Sequence, residues 1–241
     1  MRLGVIMPHT SPDGSPLTGE ALIAGARTIE RVGFDSLWCF DAIGRGSILP
    51  DPLIALSVAA TATQRVSVGT CILQVPLRRP VELAHRILTA SLVCGDRLLL
   101  GVGAGSTKAD FDAIGLDYGK RMQDFTDALA VMRRLWSGEQ VGAANLMPWP
   151  ATLGGPKLLI GSWGGQQWIP RAAKDFDGWI ASAAKTSFSA LADDAPFHLR
   201  CDPQAAAERM RRLADLGFDD AVFVKRTHTE ADLAMMRTLL P

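Results

Sequence analysis

With 241 residues, the chain exceeds a minimal domain and matches one large α/β barrel or two small domains. Hydrophobic residues at 48% and charged residues at 21% exclude a disordered chain. The 25 Lys and Arg balance 25 Asp and Glu, so no long-range field draws in nucleic acid or an anionic membrane.

The opening MRLGVIMP reads as a short strand ended by Pro8, not as a secretory signal. Strand-like apolar runs follow at residues 3–7, 36–40, 66–71, 97–103, 157–162, 178–182, 197–201 and 221–225. Most are continuous rather than alternating, as expected for strands buried on both faces. Between them, Asp51-Pro52 and Asp202-Pro203 read as an N-cap followed by a first-turn proline. Pro80 opens a helix to about residue 93. Residues 121–136 place Met122, Phe125, Leu129, Met132 and Trp136 at helical spacing, and Thr229 to Asp232 resembles a capping box.

Residues 27–40 (RTIERVGFDSLWCF) and 211–224 (RRLADLGFDDAVFV) repeat one unit: a helix end, a glycine cap at Gly33 or Gly217, then a strand. Strands alternating with helices predict a parallel sheet with right-handed crossovers. Eight such strands favour a single-domain (β/α)₈ TIM barrel over residues 1–241, with a doubly wound open sheet as the alternative. Two segments depart from the regular pattern. Residues 137–156 form a long Gly/Pro-rich connection, read as functional or a small subdomain, and 183–196, before the seventh strand, is short for a crossover helix.

Strand C-terminal ends collect the site in such a fold. Cys71 is a candidate nucleophile without a histidine fixed beside it, and His9 a candidate acid or base or a plain loop histidine. Asp41 either accepts a ligand amide or caps a turn. Gly103 and Ala104, in the run GVGAG, either touch a cofactor or make room in a crowded mouth. Ser162, Trp163, Gly164 and Gly165 follow a strand and precede a helix, a pattern that cradles phosphate or forms a simple glycine turn. Cys39, Cys71, Cys94 and Cys201 are scattered with no metal-ligand spacing, which predicts a reducing, cytoplasmic setting and no metal. The longest apolar stretches are broken by Asp96, Arg97 or glycine before membrane-spanning length.

The segments GFDSLWCFD, DPLIALSVAATATQRVSVGT, PLRRPVELAHRILTASLVCGDRLLLGVGAG, DFDAIGLDYGKR, RRLWSGE and RAAKDFDGWI together resemble the bacterial luciferase-like superfamily. The resemblance runs from Val5 to about Ile180 and is fainter afterwards. It covers luciferase-like monooxygenases and F420-dependent oxidoreductases on a (β/α)₈ barrel, many of them homodimers. It implies that Asp41 bonds the cofactor, that Thr70, Cys71 and Ile72 form a bulge with a non-prolyl cis peptide behind the ring, and that Ser162 to Gly165 bind the cofactor phosphate. This chain has Ala42 where many F420 users carry histidine, and Ser106 where the sugar-phosphate dehydrogenases place glutamate, so the acid/base pair of those dehydrogenases is missing. The short segment before the seventh strand also removes part of the usual substrate cover. The implied activity is hydride transfer between F420 or FMN and a small organic substrate, with monooxygenation open. Two other readings stand beside it: a flavin- or deazaflavin-binding protein with little turnover, and an unrelated barrel lyase or isomerase using Lys225.

Overall fold

The computed structural model describes residues 1–10, 17–46, 48–162, 168–181, 203–224 and 229–238. Along the chain run β1 (Arg2–Ile6), α1 (Gly19–Val32), β2 (Ser36–Cys39), α2 (Pro52–Ala62), β3 (Ser67–Gln74), α3 (Pro80–Cys94) and β4 (Leu98–Gly103). They are followed by α4 (Lys108–Asp112), α5 (Arg121–Trp136), β5 (Lys157–Ser162), α6 (Trp168–Asp175), β6 (Gly178–Ala181), α7 (Pro203–Asp215), β7 (Asp220–Phe223) and α8 (Glu230–Arg237).

Among the described residues all strand pairings are parallel, in the order β6-β5-β4-β3-β2-β1-β7. Each strand from β1 to β6 is laid beside its predecessor in the same direction, so right-handed crossovers put the helices on one face. A doubly wound sheet would reverse direction midway, and the run from β1 to β6 does not. β7, the predicted run at 221–225, pairs with β1 on the far edge. The predicted strand at 197–201 and the short segment before it lie outside the described residues.

Local chemistry sets the helix ends. Asp51 Oδ1 accepts the Leu53 and Ile54 N–H groups at 3.0 and 3.2 Å, with Pro52 opening α2. Thr229 and Asp232 exchange both bonds of a capping box at the start of α8. Gly33 (φ 99°) and Gly217 (φ 85°) close α1 and α7 in the left-handed region, so the repeated unit has the same physical cause at both places. α2 (PLIALSVAATA) is apolar all round because it packs against both α1 and α3.

One sheet face builds the main core: Leu3, Val5, Leu37, Val68, Leu100 and Ile160 meet Ala26, Ile29, Leu56, Ile87, Phe125 and Met132 from the helices. The alternate residues face the other way. There Trp38, 3% exposed, lies across two glycines; a Cβ would sit 2.6 Å from its Nε1 at Gly4 and 2.5 Å from its ring at Gly69. Its Nε1 donates to Ser36 Oγ at 2.8 Å, so the buried indole is satisfied. Residues 137–156 build no subdomain. They hold a Val141–Ala144 bridge and a 3₁₀ turn at Pro150–Thr152, and brace on α5, where Gly154 N–H donates to Trp136 O and Gly155 lies against the Trp136 ring.

β3 runs three residues beyond the predicted end at residue 71, through a register shift between Thr70 and Leu73. The Cys71–Ile72 peptide is cis, where the resemblance implies one. The bulge restores the alternation: Leu73 joins the helix-side core while Ile72 lies over the inner face.

Candidate functional site

Because the strands are parallel, the C-terminal ends of β1 to β5 form one rim. It carries His9, Asp41, the segment from Cys71 to Gln74, Ala104 to Ser106, and Ser162. Trp163, Gly164, Gly165 and Lys225 lie outside the described residues.

The centre of the rim is a plate. A Cβ at Gly103 would collide with Ile72 Cδ1, and one at Gly161 with Ile72 Cγ2, so the missing side chains let Ile72 lie flat across β4 and β5. At Gly103 of GVGAG the missing side chain makes room for Ile72. Beneath, Thr70 Oγ1 donates to Gly101 O at 2.7 Å, fully buried, which engages the Thr70 hydroxyl in the wall.

A polar network surrounds the plate on the β2 side. Asp41 Oδ2 accepts Gln74 N–H at 2.8 Å and Arg78 Nη1 at 2.6 Å, and Oδ1 accepts Arg78 Nη2 at 2.9 Å. Arg78 also reaches Asp51 at 3.4 Å, and Asp51 pairs with Arg86 at 3.1 Å. Burial opposes the charge on Arg78, but Asp41 and Asp51 outweigh it and hold the guanidinium above its ordinary value. The Gln74 amide donates from Nε2 to Asp41 O at 2.8 Å and Asp110 Oδ2 at 2.9 Å. Asp110, fully buried, also accepts Arg45, Gly44 N–H and Ile43 N–H. Burial alone would raise its carboxyl, yet Arg45, Gln74 and the two backbone donors bring it down to about 2. Gln74, Arg78, Arg86 and Asp110 were not singled out from sequence. The one legible trace was a glutamine inside an apolar run, just before two arginines and a proline.

The two candidate catalytic residues differ in setting. Cys71 is half-buried, and desolvation pushes its thiol up to about 11, so it is protonated at neutral pH. His9 Nδ1 lies 3.4 Å from Met7 O, with its ring edge-to-face on Phe40 at 5.6 Å. β2 stands between the strands that carry them. Beside Asp41, Arg78 and Arg86 opens a cleft of about 380 Å³, walled by Ile43, Leu49 and Pro50. Ser162 ends β5 half-buried, its carbonyl accepting Trp179 Nε1 at 3.2 Å. Among the described residues no cluster of three His, Cys, Asp or Glu could hold a metal, and no helix is long and apolar enough to cross a membrane.

Known proteins share this framework. Over 242 residues the chain is 26% identical to F420-dependent hydroxymycolic acid dehydrogenase of Mycobacterium tuberculosis, covering 91% of this chain and 64% of that one. Over 117 residues it is 30% identical to 4-hydroxyprotoasukamycin monooxygenase of Streptomyces nodosus subsp. asukaensis, covering 48% and 31%. In fold it matches the oxygenating constituent of 3,6-diketocamphane monooxygenase from Pseudomonas putida, solved with FMN, at a TM-score of 0.63 and 19% identity, covering 92% and 66%. The chain thus spans less than two thirds of each of these relatives. The family model described as luciferase-like monooxygenase matches residues 1–239, and the chain belongs to that family.

Proposed function

We propose that this protein is an oxidoreductase that binds coenzyme F420 or FMN at the rim and acts on a small organic molecule. When bound, the flavin or deazaflavin supplies the hydride chemistry, and FMN adds reaction with dioxygen. The observation that carries the reading is the plate formed by Ile72 over Gly103 and Gly161, bordered by a fixed polar network. An apolar surface with a polar margin suits a fused heterocycle, whose faces are apolar and whose edge is polar. Family membership supports the same reading and removes the unrelated lyase or isomerase.

The residues then divide the work. Ile72 supports the ring face, and Asp41 with Arg78 fixes the strand end beside it. Ser162 begins the segment, continuing through Trp163, Gly164 and Gly165, that anchors the phosphate. Cys71, held as a thiol, contributes packing and not a nucleophile. His9 stays the candidate acid or base. In this proposal residues 1–241 are one barrel domain. A cytoplasmic homodimer completes the proposal; the free thiols of Cys39, Cys71 and Cys94 suit a reducing compartment.

Titration of the purified protein with oxidised and reduced FMN and F420, followed in the visible spectrum, tests the reading. A saturable change with one of them is expected; no change with either at millimolar concentration overturns it. Reoxidation of the bound, reduced cofactor by candidate acceptors in a single turnover separates an enzyme from a carrier with little turnover.

A further inference from the structure

Gln74 Oε1 is the buried side-chain polar atom without a hydrogen-bond partner among the described residues. Gln74 is 3% exposed, and its amide orientation is fixed because Nε2 serves two acceptors, Asp41 O and Asp110 Oδ2. Turning the amide over would set its oxygen against a carbonyl and a carboxylate, so the free acceptor is held in place by its neighbours. A buried acceptor left unbonded is costly and calls for a use.

Its position suggests one. Strand alternation past the bulge puts Gln74 on the same face as Ile72, two residues nearer the rim. Gly105 covers the oxygen; a Cβ there would lie 2.5 Å from Oε1, and its φ of 83° favours glycine. The covering backbone is the tip of the loop after β4, where Ala104 and Gly105 are half-buried and Ser106 is exposed.

We infer that Gln74 Oε1 is a recognition group that accepts the N–H of the cofactor's pyrimidinedione edge when the loop at Gly105 yields. This deepens the proposed function and rests on it. FMN and F420 both carry that N–H, so the contact selects for the edge they share and does not tell them apart. Asp110 and Asp41 act through Gln74 as positioning residues, because their acceptors hold Nε2 and so aim the oxygen.

The test is a ratio of affinities, measured by fluorescence titration of the whole protein with FMN and F420 and with the N3-methylated form of each. The natural protein should bind the parent compound roughly tenfold more tightly than the methylated one, the scale of one hydrogen bond to a buried acceptor. In Gln74→Met, of similar length but without the oxygen, the ratio should fall towards one. Damage to the rim alone would weaken both ligands equally and leave the ratio as it was, which overturns the inference. Gly105→Ala keeps both amide donors of Gln74 and sets a methyl against Oε1, so it should lower the ratio even if Gln74→Met does not fold. A methylated ligand bound as tightly as its parent by the natural protein overturns the inference but spares the proposed function. No binding of any of the four overturns both.

Discussion

Replacing Arg78 by methionine removes the cation at the middle of the rim network and keeps most of the side-chain stem. The pair is buried, with side chains 10% exposed for Arg78 and 2% for Asp41. Without the guanidinium, the Asp41 carboxylate retains one donor, the Gln74 N–H, and Oδ1 loses the Arg78 bond. Deleting one partner of a buried pair costs about 3–5 kcal/mol, because the other charge stays behind in a poor solvent. That is a large part of the roughly 5–15 kcal/mol that holds a typical domain. An exposed pair such as Lys108–Asp112 is worth at most about 1 kcal/mol, so Lys108→Met serves as the control. Urea unfolding followed by circular dichroism should show the full difference between the two variants. Adding Asp41→Asn to Arg78→Met should recover at least about 1 kcal/mol, since no charge is then stranded. An Arg78→Met protein that loses no more than the control, or a double variant weaker than the single one, refutes the argument.

Two further outcomes follow from the same geometry. Asp110 titrates at about 2 in the fold against an ordinary 3.8, a lowered folded value. Its contribution is therefore present above about pH 4 and disappears as pH falls towards 2, roughly 2 kcal/mol in all. Acid unfolding of Asp110→Asn should lack that part of the slope, and an unchanged acid limb would contradict the assignment. Desolvation pushes the thiols of Cys39, Cys71 and Cys94 up to about 12, 11 and 11. Iodoacetamide at neutral pH should label these three slowly until the chain is unfolded in urea, read by mass spectrometry of peptides. Rapid labelling of Cys71 in the folded protein would restore it as a candidate nucleophile.

The helix ends were legible because each depends on a few neighbouring residues: Asp51 before Pro52, Thr229 with Asp232, Gly33 and Gly217 past their helices. Helix α5 matched its predicted limits for the same reason, although Met122 in its first turn is exposed and the buried stripe starts at Phe125. β3 outruns its predicted end because a bulge shifts the phase of alternation, which no period-two pattern carries. The rim network was invisible for a different reason. Asp41, Gln74, Arg78 and Asp110 are 33 to 37 positions apart in several of their contacts, and only the side-by-side strands bring them together. Gly103 of GVGAG was legible as a feature, but the side chain that needs its space, Ile72, belongs to another strand and was not.

The succession Asp110, Gln74, Asp41, Arg78, Asp51, Arg86 links five elements at the mouth by bonds from one member to the next. Ground prepared in this way needs little rearrangement when a guest arrives, so binding spends less entropy on ordering the host. It also carries a vulnerability: a fault at any one link is passed along the row, and remote substitutions on α3 or α4 should disturb the grip on the guest as surely as those that touch it.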